Sequence, residues 1–209
     1  MNNSDAESRG LFLVLSAPSG TGKTSIRRIF LERHPEVQFS VSYTTREPRP
    51  GEEDGRDYFF ISEAEFRERI NRGEFAEWEE NYGRYYGTSG KMMDRFLDQG
   101  RDMLLDIEMR GAKTLKKNYA GGIYVFVLPP SLAELKARLQ KRGESEAEIK
   151  KRLNKVREEI GEAYGYDYVI FNDSLERAVE SLQAVYQSEK NRAIRRKKQI
   201  QDLLDQNEI

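Results

Sequence analysis

Eleven residues, LSAPSGTGKTS from Leu15 to Ser25, have the types and spacing needed to cradle phosphate. Backbone N–H groups of residues 19–24, from Ser19 through Thr21 to Thr24, would point inward as an anion nest at a helix N-terminus. Gly20 and Gly22 let that backbone approach without a Cβ in the way. Lys23 places a point charge on the β- and γ-phosphates, and the Thr24 hydroxyl is a ligand for Mg²⁺. Ala17, followed by Pro18, replaces the first glycine of the G-x-x-x-x-G-K-[ST] pattern. That position only begins the turn, so alanine serves if its φ is negative. The alternative is an ordinary glycine-rich turn with a surface lysine; an apolar run before it and a helical pattern after it favour a nucleoside triphosphate loop. Switch-type GTPases also carry N-K-x-D, which NKVR (154–157) fails to match.

A second candidate is FSVSYTTREPRPGEEDGRDYFF, residues 39–60. Pro48 and Pro50 forbid a helix and favour an extended, polyproline-like path. Its threefold repeat puts Arg46 and Arg49 on one side, and two guanidinium forks on a stiff segment suit a phosphate monoester. A solvated basic turn reads the same residues equally well.

These segments need a frame. LFLVLS (11–16), DMLLDI (102–107), IYVFVL (123–128) and YVIF (168–171) read as buried strands. Helices are expected over Thr24–Arg33, stopped by Pro35, and at about 110–117, 131–141 and 174–190; Ser131 with Glu134 forms a capping-box pattern. Alternating strands and helices predict a parallel sheet covered on both faces. Residues 40–90 break the rhythm with short strands and one helix, capped by Ser62 and Glu65. QKRGESEAEIKKR (140–152) lies between two helices, with Gly143 as its hinge. The expectation is one α/β core with two excursions.

Lys and Arg number 35 against 36 Asp and Glu, a net charge of −1, so nothing general favours nucleic acid or an anionic membrane. The absence of cysteine excludes disulfides and thiolate metal sites. The polar start, MNNSDAESRG, is not a signal peptide and the apolar runs are too short to span a bilayer, so a soluble, cytoplasmic protein is expected. His34, before Pro35, reads as structural. The basic run RRKK (195–198), with Ile194, Ile200, Leu203 and Leu204 around it, reads as a solvated helix end or a self-association surface. Monomer and homo-oligomer both stay open.

Taken together, APSGTGKT (17–24), SVSYTTREPRPGEEDGRDYFF (40–60), EFAEW (74–78), NYGRYYGTS (81–89), LLDIEMRGA (104–112), LKARLQKRG (135–143) and YVIFND (168–173) resemble the guanylate kinases, in family order across almost the whole chain. The resemblance implies a P-loop NTPase-type parallel sheet flanked by helices (10–39, 91–139 and 153–209), an inserted mixed β/α subdomain for the nucleoside monophosphate (40–90) and a helical lid (140–152). It implies transfer of the γ-phosphate of ATP to GMP, and to dGMP, with Mg²⁺. By position, Arg46, Arg49, Tyr58 and Tyr86 would grip the GMP phosphate. Glu77 would accept from guanine N1–H and N2–H₂, with Ser42 and Thr88 completing the base edge. Adenine offers an acceptor there instead, and such a site rejects the wrong base by roughly 10⁴-fold or more. The alternative for Glu77 is a solvated helix-end glutamate. Asp106, ending a strand, would hold Mg²⁺ through water; Glu108 stands at a family aspartate that contacts the guanine amino group. Arg138 and Arg142, four apart on one helix face, and Arg152 would be lid cations acting with Lys23, though each also fits a charged exterior. Asn172 would lie near adenine, or simply cap a helix.

Two other functions compete. A partner-binding domain of the same fold would have lost catalysis, but Lys23, Thr24, Arg138 and Arg142 are all present. A kinase for another acceptor would not need Glu77 with Ser42.

Overall fold

The computed structural model describes residues 9–81, 83–141 and 143–206. Five strands form a wholly parallel sheet in the order β2-β7-β1-β8-β9: β1 (Phe12–Ser16), β2 (Gln38–Phe39), β7 (Met103–Asp106), β8 (Ile123–Leu128) and β9 (Tyr168–Phe171). β1 and β8 are buried along their whole length, as central strands covered on both faces must be. On one face, Ile26 and Phe30 of α1 (Lys23–Arg33) pack with Val179, Leu182 and Tyr186 of α7 (Leu175–Lys190). On the other, Met93 and Leu97 of α3 (Gly90–Asp98) pack with Ala112 and Leu115 of α4 (Met109–Asn118). No helix among the described residues is long and apolar enough to cross a membrane.

The first excursion is a mixed four-stranded sheet, β4-β3-β6-β5, with one helix. Its strands are β3 (Tyr43–Thr44), β4 (Phe59–Phe60), β5 (Phe75–Asn81) and β6 (Arg84–Ser89), and α2 is Glu63–Asn71. Phe66 of α2 stacks on Phe75 and Tyr85 beneath that sheet.

The second excursion differs from its expected form. Residues 140–152 are not a linker between helices: α5 (Leu132–Lys141) runs into them and α6 (Glu146–Ile160) begins inside them. Ser145 accepts from the Glu148 N–H while Glu148 reaches back to the Ser145 N–H, a complete capping box that starts α6. Gly143 makes the turn at φ 79°. Leu135, Leu139, Ile149 and Val156 give this hairpin its own core. The two expected boxes are only half made: Ser62 and Ser131 accept from the Glu65 and Glu134 N–H, but those carboxylates pair with Arg69 and Arg138 instead. The terminal helix α8 (Lys197–Leu204) begins in the middle of RRKK, so that run sits at the helix start, not its end.

Candidate active site

The phosphate loop follows β1 at the C-terminal edge of the parallel sheet, where open α/β folds bind ligands. Ala17 is buried and the turn closes on itself: the Thr21 hydroxyl donates to the Pro18 carbonyl at 3.0 Å. Gly20 and Gly22 have φ of 90° and 98°. Gly22 caps α1 with no side-chain cap bond, leaving the helix's first N–H groups for a ligand. Ser19 and Thr24 are exposed at the loop's mouth.

Lys23 and Asp106 come together. The ammonium lies 2.7 Å from Asp106 and 3.7 Å from Glu108, while Arg27 reaches the other Asp106 oxygen at 3.1 Å. Burial alone would lower the Lys23 pKa; the two carboxylates more than offset it and hold the pKa above the ordinary lysine range. Arg27, which the sequence reading passed over, also lies over Phe39 at 4.5 Å.

The acceptor side is an equally ordered set of ion pairs. Arg46 sends one nitrogen to both Glu52 oxygens at 2.9 Å and lies 5.4 Å from the Tyr58 ring centre. Arg49 donates its backbone N–H to the same Glu52, and its side chain is exposed. Tyr58 and Tyr86 are ring neighbours at 6.1 Å. Burial raises the Tyr58 pKa, Asp106 adds to this, and Lys23 and Arg46 oppose it; that phenol therefore feels both the phosphate loop and the acceptor arginine.

Glu77 is not a solvated helix end. It lies on β5, only 4% exposed, and accepts from the Thr88 hydroxyl at 2.6 Å. Burial pushes its carboxyl up to about 7, against the Thr88 hydrogen bond and with help from Glu79. Gly111 makes room: a Cβ there would stand 2.2 Å from a Glu77 oxygen. Glu79 shares the Glu77 face by strand alternation, and burial followed by Glu108 raises its pKa as well. Period-two spacing from Glu77 was the signal that could have found it. Ser42 is half-buried just before β3, where its carbonyl accepts the Phe59 N–H.

Two arginines of the α5–α6 hairpin lie near the loop, and one of them touches it. Arg152 donates to the Ser19 hydroxyl at 2.7 Å and pairs with Glu144 at 2.8 Å. Arg138 donates to the Asn172 carbonyl at 3.0 Å. Arg142 lies outside the described residues. Asn172 is neither solvent-facing nor a cap, since Ser174 caps α7. Its buried amide donates to the Thr21 carbonyl at 2.6 Å and closes against Gly22, bracing the loop from behind.

Among the described residues no group of three or more His, Cys, Asp or Glu could hold a metal. The hard oxygens of Thr24 and Asp106 still fit Mg²⁺, which keeps several waters and takes one or two protein ligands besides substrate phosphates.

Comparison with known proteins bears on the same chain as a whole. The guanylate kinase family model matches residues 9–189. The chain belongs to the guanylate kinase family. It is 80% identical to the guanylate kinase of Syntrophus aciditrophicus over 98% of this chain and 99% of that one. It is 47% identical to that of Geobacter sulfurreducens over 89% and 92%. The crystal structure of guanylate kinase from Anaplasma phagocytophilum matches with a TM-score of 0.74 at 31% identity, covering 90% of each chain. The family's reaction is the transfer of a phosphoryl group from ATP to GMP.

Proposed function

We propose that the cluster described above performs this transfer with the following division of labour. The core holds ATP, residues 40–90 hold GMP or dGMP, and residues 140–152 act as the lid. Residues 17–24 cradle the donor phosphates with backbone N–H groups, and Lys23 moves from Asp106 onto the β- and γ-oxygens. Arg46, Arg49, Tyr58 and Tyr86 receive the GMP phosphate, with Arg46 released from Glu52. Glu77, steadied by Thr88 and with Ser42 and Glu108 nearby, reads the guanine edge. Asn172 braces the loop; an adenine contact is not needed to explain it.

Thr24 and Asp106 would hold Mg²⁺, which when bound would neutralise charge on the bridging phosphate oxygens. The protein's own part is alignment and positive charge. A loose phosphoryl transition state needs donor and acceptor oxygens in line and cations on the equatorial oxygens. Arg138, Arg142 and Arg152 supply these as the lid closes, which also keeps water from the phosphoryl group. The cytoplasm, where ATP and GMP are found, is the expected compartment.

The observation that carries this reading is the Glu77 carboxylate, buried and held by Thr88 at 2.6 Å, the acceptor pair that guanine N1–H and N2–H₂ require. The test is ADP release with ATP, Mg²⁺ and each of GMP, dGMP, AMP, CMP and UMP, for wild type, Lys23→Ala and Glu77→Ala. Turnover should need GMP or dGMP, collapse in Lys23→Ala, and lose base preference in Glu77→Ala. GMP binding without turnover on any acceptor would instead support a binding domain.

A further inference from the structure

The basic run at 195–198 is not absorbed by the active site. Its Arg195, Arg196 and Lys198 line a cavity of about 270 Å³ with Arg9, Gly10, Asp102 and Lys190, beside the entries to β1 and β7. The phosphate loop and Asp106 lie at the exits of those same strands, so the cavity is at the opposite end of the sheet, roughly 15 Å away along β1.

The charges around this cavity are unevenly matched. Lys190 is paired with Asp102, and Arg9 with Asp94 and Asp98. Arg196 is held only by neutral amides, Asn191 at 2.6 Å and Gln199 at 2.8 Å. Among the described residues the side chains of Arg195 and Lys198 have no hydrogen bond or ion pair. Burial holds the Arg195 guanidinium below its ordinary pKa, with only distant help from Asp102 and Glu189. These three uncompensated cations flank the start of α8, which has no side-chain cap and no acid in its first turn. That is the positive end of the helix dipole, the adverse end for cations. Such an arrangement costs free energy unless an anion sits among the cations. The volume falls just below the range of about 300–1,000 Å³ for drug-sized ligands, so it suits a phosphate or pyrophosphate group more than a whole nucleotide.

We propose that the cavity lined by Arg195, Arg196 and Lys198 at the base of the sheet is a second anion site, separate from the nucleotide sites, that takes a phosphate or pyrophosphate group. Binding there would tie α8 to α7 and to the strand entries, so it should stabilise the fold without entering the reaction.

Isothermal titration with pyrophosphate at fixed ionic strength tests this on the full chain. Lys23→Ala serves as background, so that anion binding at the phosphate loop is weakened. Saturable binding with one site per chain should remain there. It should weaken at least tenfold when Arg195→Gln and Lys198→Gln are added, since charge-assisted hydrogen bonds to both are lost. The exposed Lys198→Glu, which leaves the interior untouched, should weaken it on its own. In the Lys23-intact protein, Arg195→Gln with Lys198→Gln should leave kcat for GMP within twofold, which also shows that the variant is folded. The proposal is overturned if no saturable binding occurs in the Lys23→Ala background, or if these substitutions leave it unchanged. Both results are independent of whether the active-site assignments hold.

Discussion

Glu77 can accept from guanine only as a carboxylate, yet burial pushes its carboxyl up to about 7. With that value, about 90% is ionised at pH 8, about half at pH 7 and about 10% at pH 6. Apparent affinity scales with the competent fraction. The Michaelis constant for GMP should therefore rise about tenfold from pH 8 to pH 6, on this residue alone. The phosphate of GMP itself titrates near pH 6 and adds about twofold. Glu77→Gln separates the two terms: it keeps the side chain's volume and the phosphate titration, and removes the inflection near 7. The assay is kcat/KM for GMP against pH at saturating ATP, in both proteins. Calorimetry adds a direct count, since GMP binding at pH 7 should release about half a proton in wild type and almost none from this residue in Glu77→Gln. Parallel pH profiles for the two proteins would refute the assignment of Glu77 as base reader.

The same shift has an opposite sign for folding. Glu77 is an acid raised from 4.5 to about 7, so its contribution to stability is complete below 4.5 and is lost as pH rises through 7. GMP offsets the loss by binding the ionised form. The increase in melting temperature that GMP produces should thus be larger at pH 8 than at pH 6.

Three further outcomes are expected. Gly111→Ala would put a methyl 2.2 Å from a Glu77 oxygen and 2.7 Å from Ile107; steady-state kinetics should show KM for GMP up about tenfold, from about 1–3 kcal/mol of overpacking, with KM for ATP unchanged. Arg152→Ala should lower kcat roughly 10²-fold and leave GMP affinity within about threefold, because the lid cation acts on the transferring group; equal losses in both would refute a lid role. Asp102 accepts from the Leu11 N–H, the Tyr186 hydroxyl and Lys190, so Asp102→Asn should cost about 2–3 kcal/mol and lower the melting temperature by about 5–10 °C, read by calorimetry, with kcat unchanged at lower temperatures.

The central strands were legible because parallel strands buried on both faces write themselves as continuous apolar runs, and β8 falls on the expected residues; β9 falls on its expected residues too, but as an edge strand in which only Ile170 is buried, so the expectation of a buried strand there is corrected. The lid was misread because its charged residues conceal a helix start. Ser145 and Glu148 are the signature, and only the contacts reveal that the apolar residues on either side of the turn form one core. Motif positions supplied the candidate site residues, but not their partners. That Glu52 holds Arg46, that Asn172 braces Thr21 and that Arg27 shares Asp106 are long-range or loop-closed contacts with no local periodicity.

If the proposed roles hold, those partners account for how a chain with a net charge of −1 would collect two anionic nucleotides. Lys23 is held by Asp106, Arg46 by Glu52, Arg138 by Glu134 and Arg152 by Glu144. Each of these four cations, proposed above to bind phosphate, thus rests on an internal carboxylate. A buried cation without a partner would be costly, and a lysine in that position would tend to shed its proton. With its carboxylate, Lys23 stays charged and is held at the mouth of the loop. Substrate binding then becomes an exchange of one oxyanion for another, in which a dianionic phosphate with three oxygens outcompetes a monoanionic carboxylate. The released Asp106 oxygens are left beside the donor phosphates, where a hydrated divalent cation would take them up. On the proposed roles, discrimination falls to the group that cannot be exchanged in this way, the buried Glu77, whose charge the Thr88 hydroxyl only partly satisfies and which a proton or the N–H edge of guanine would complete.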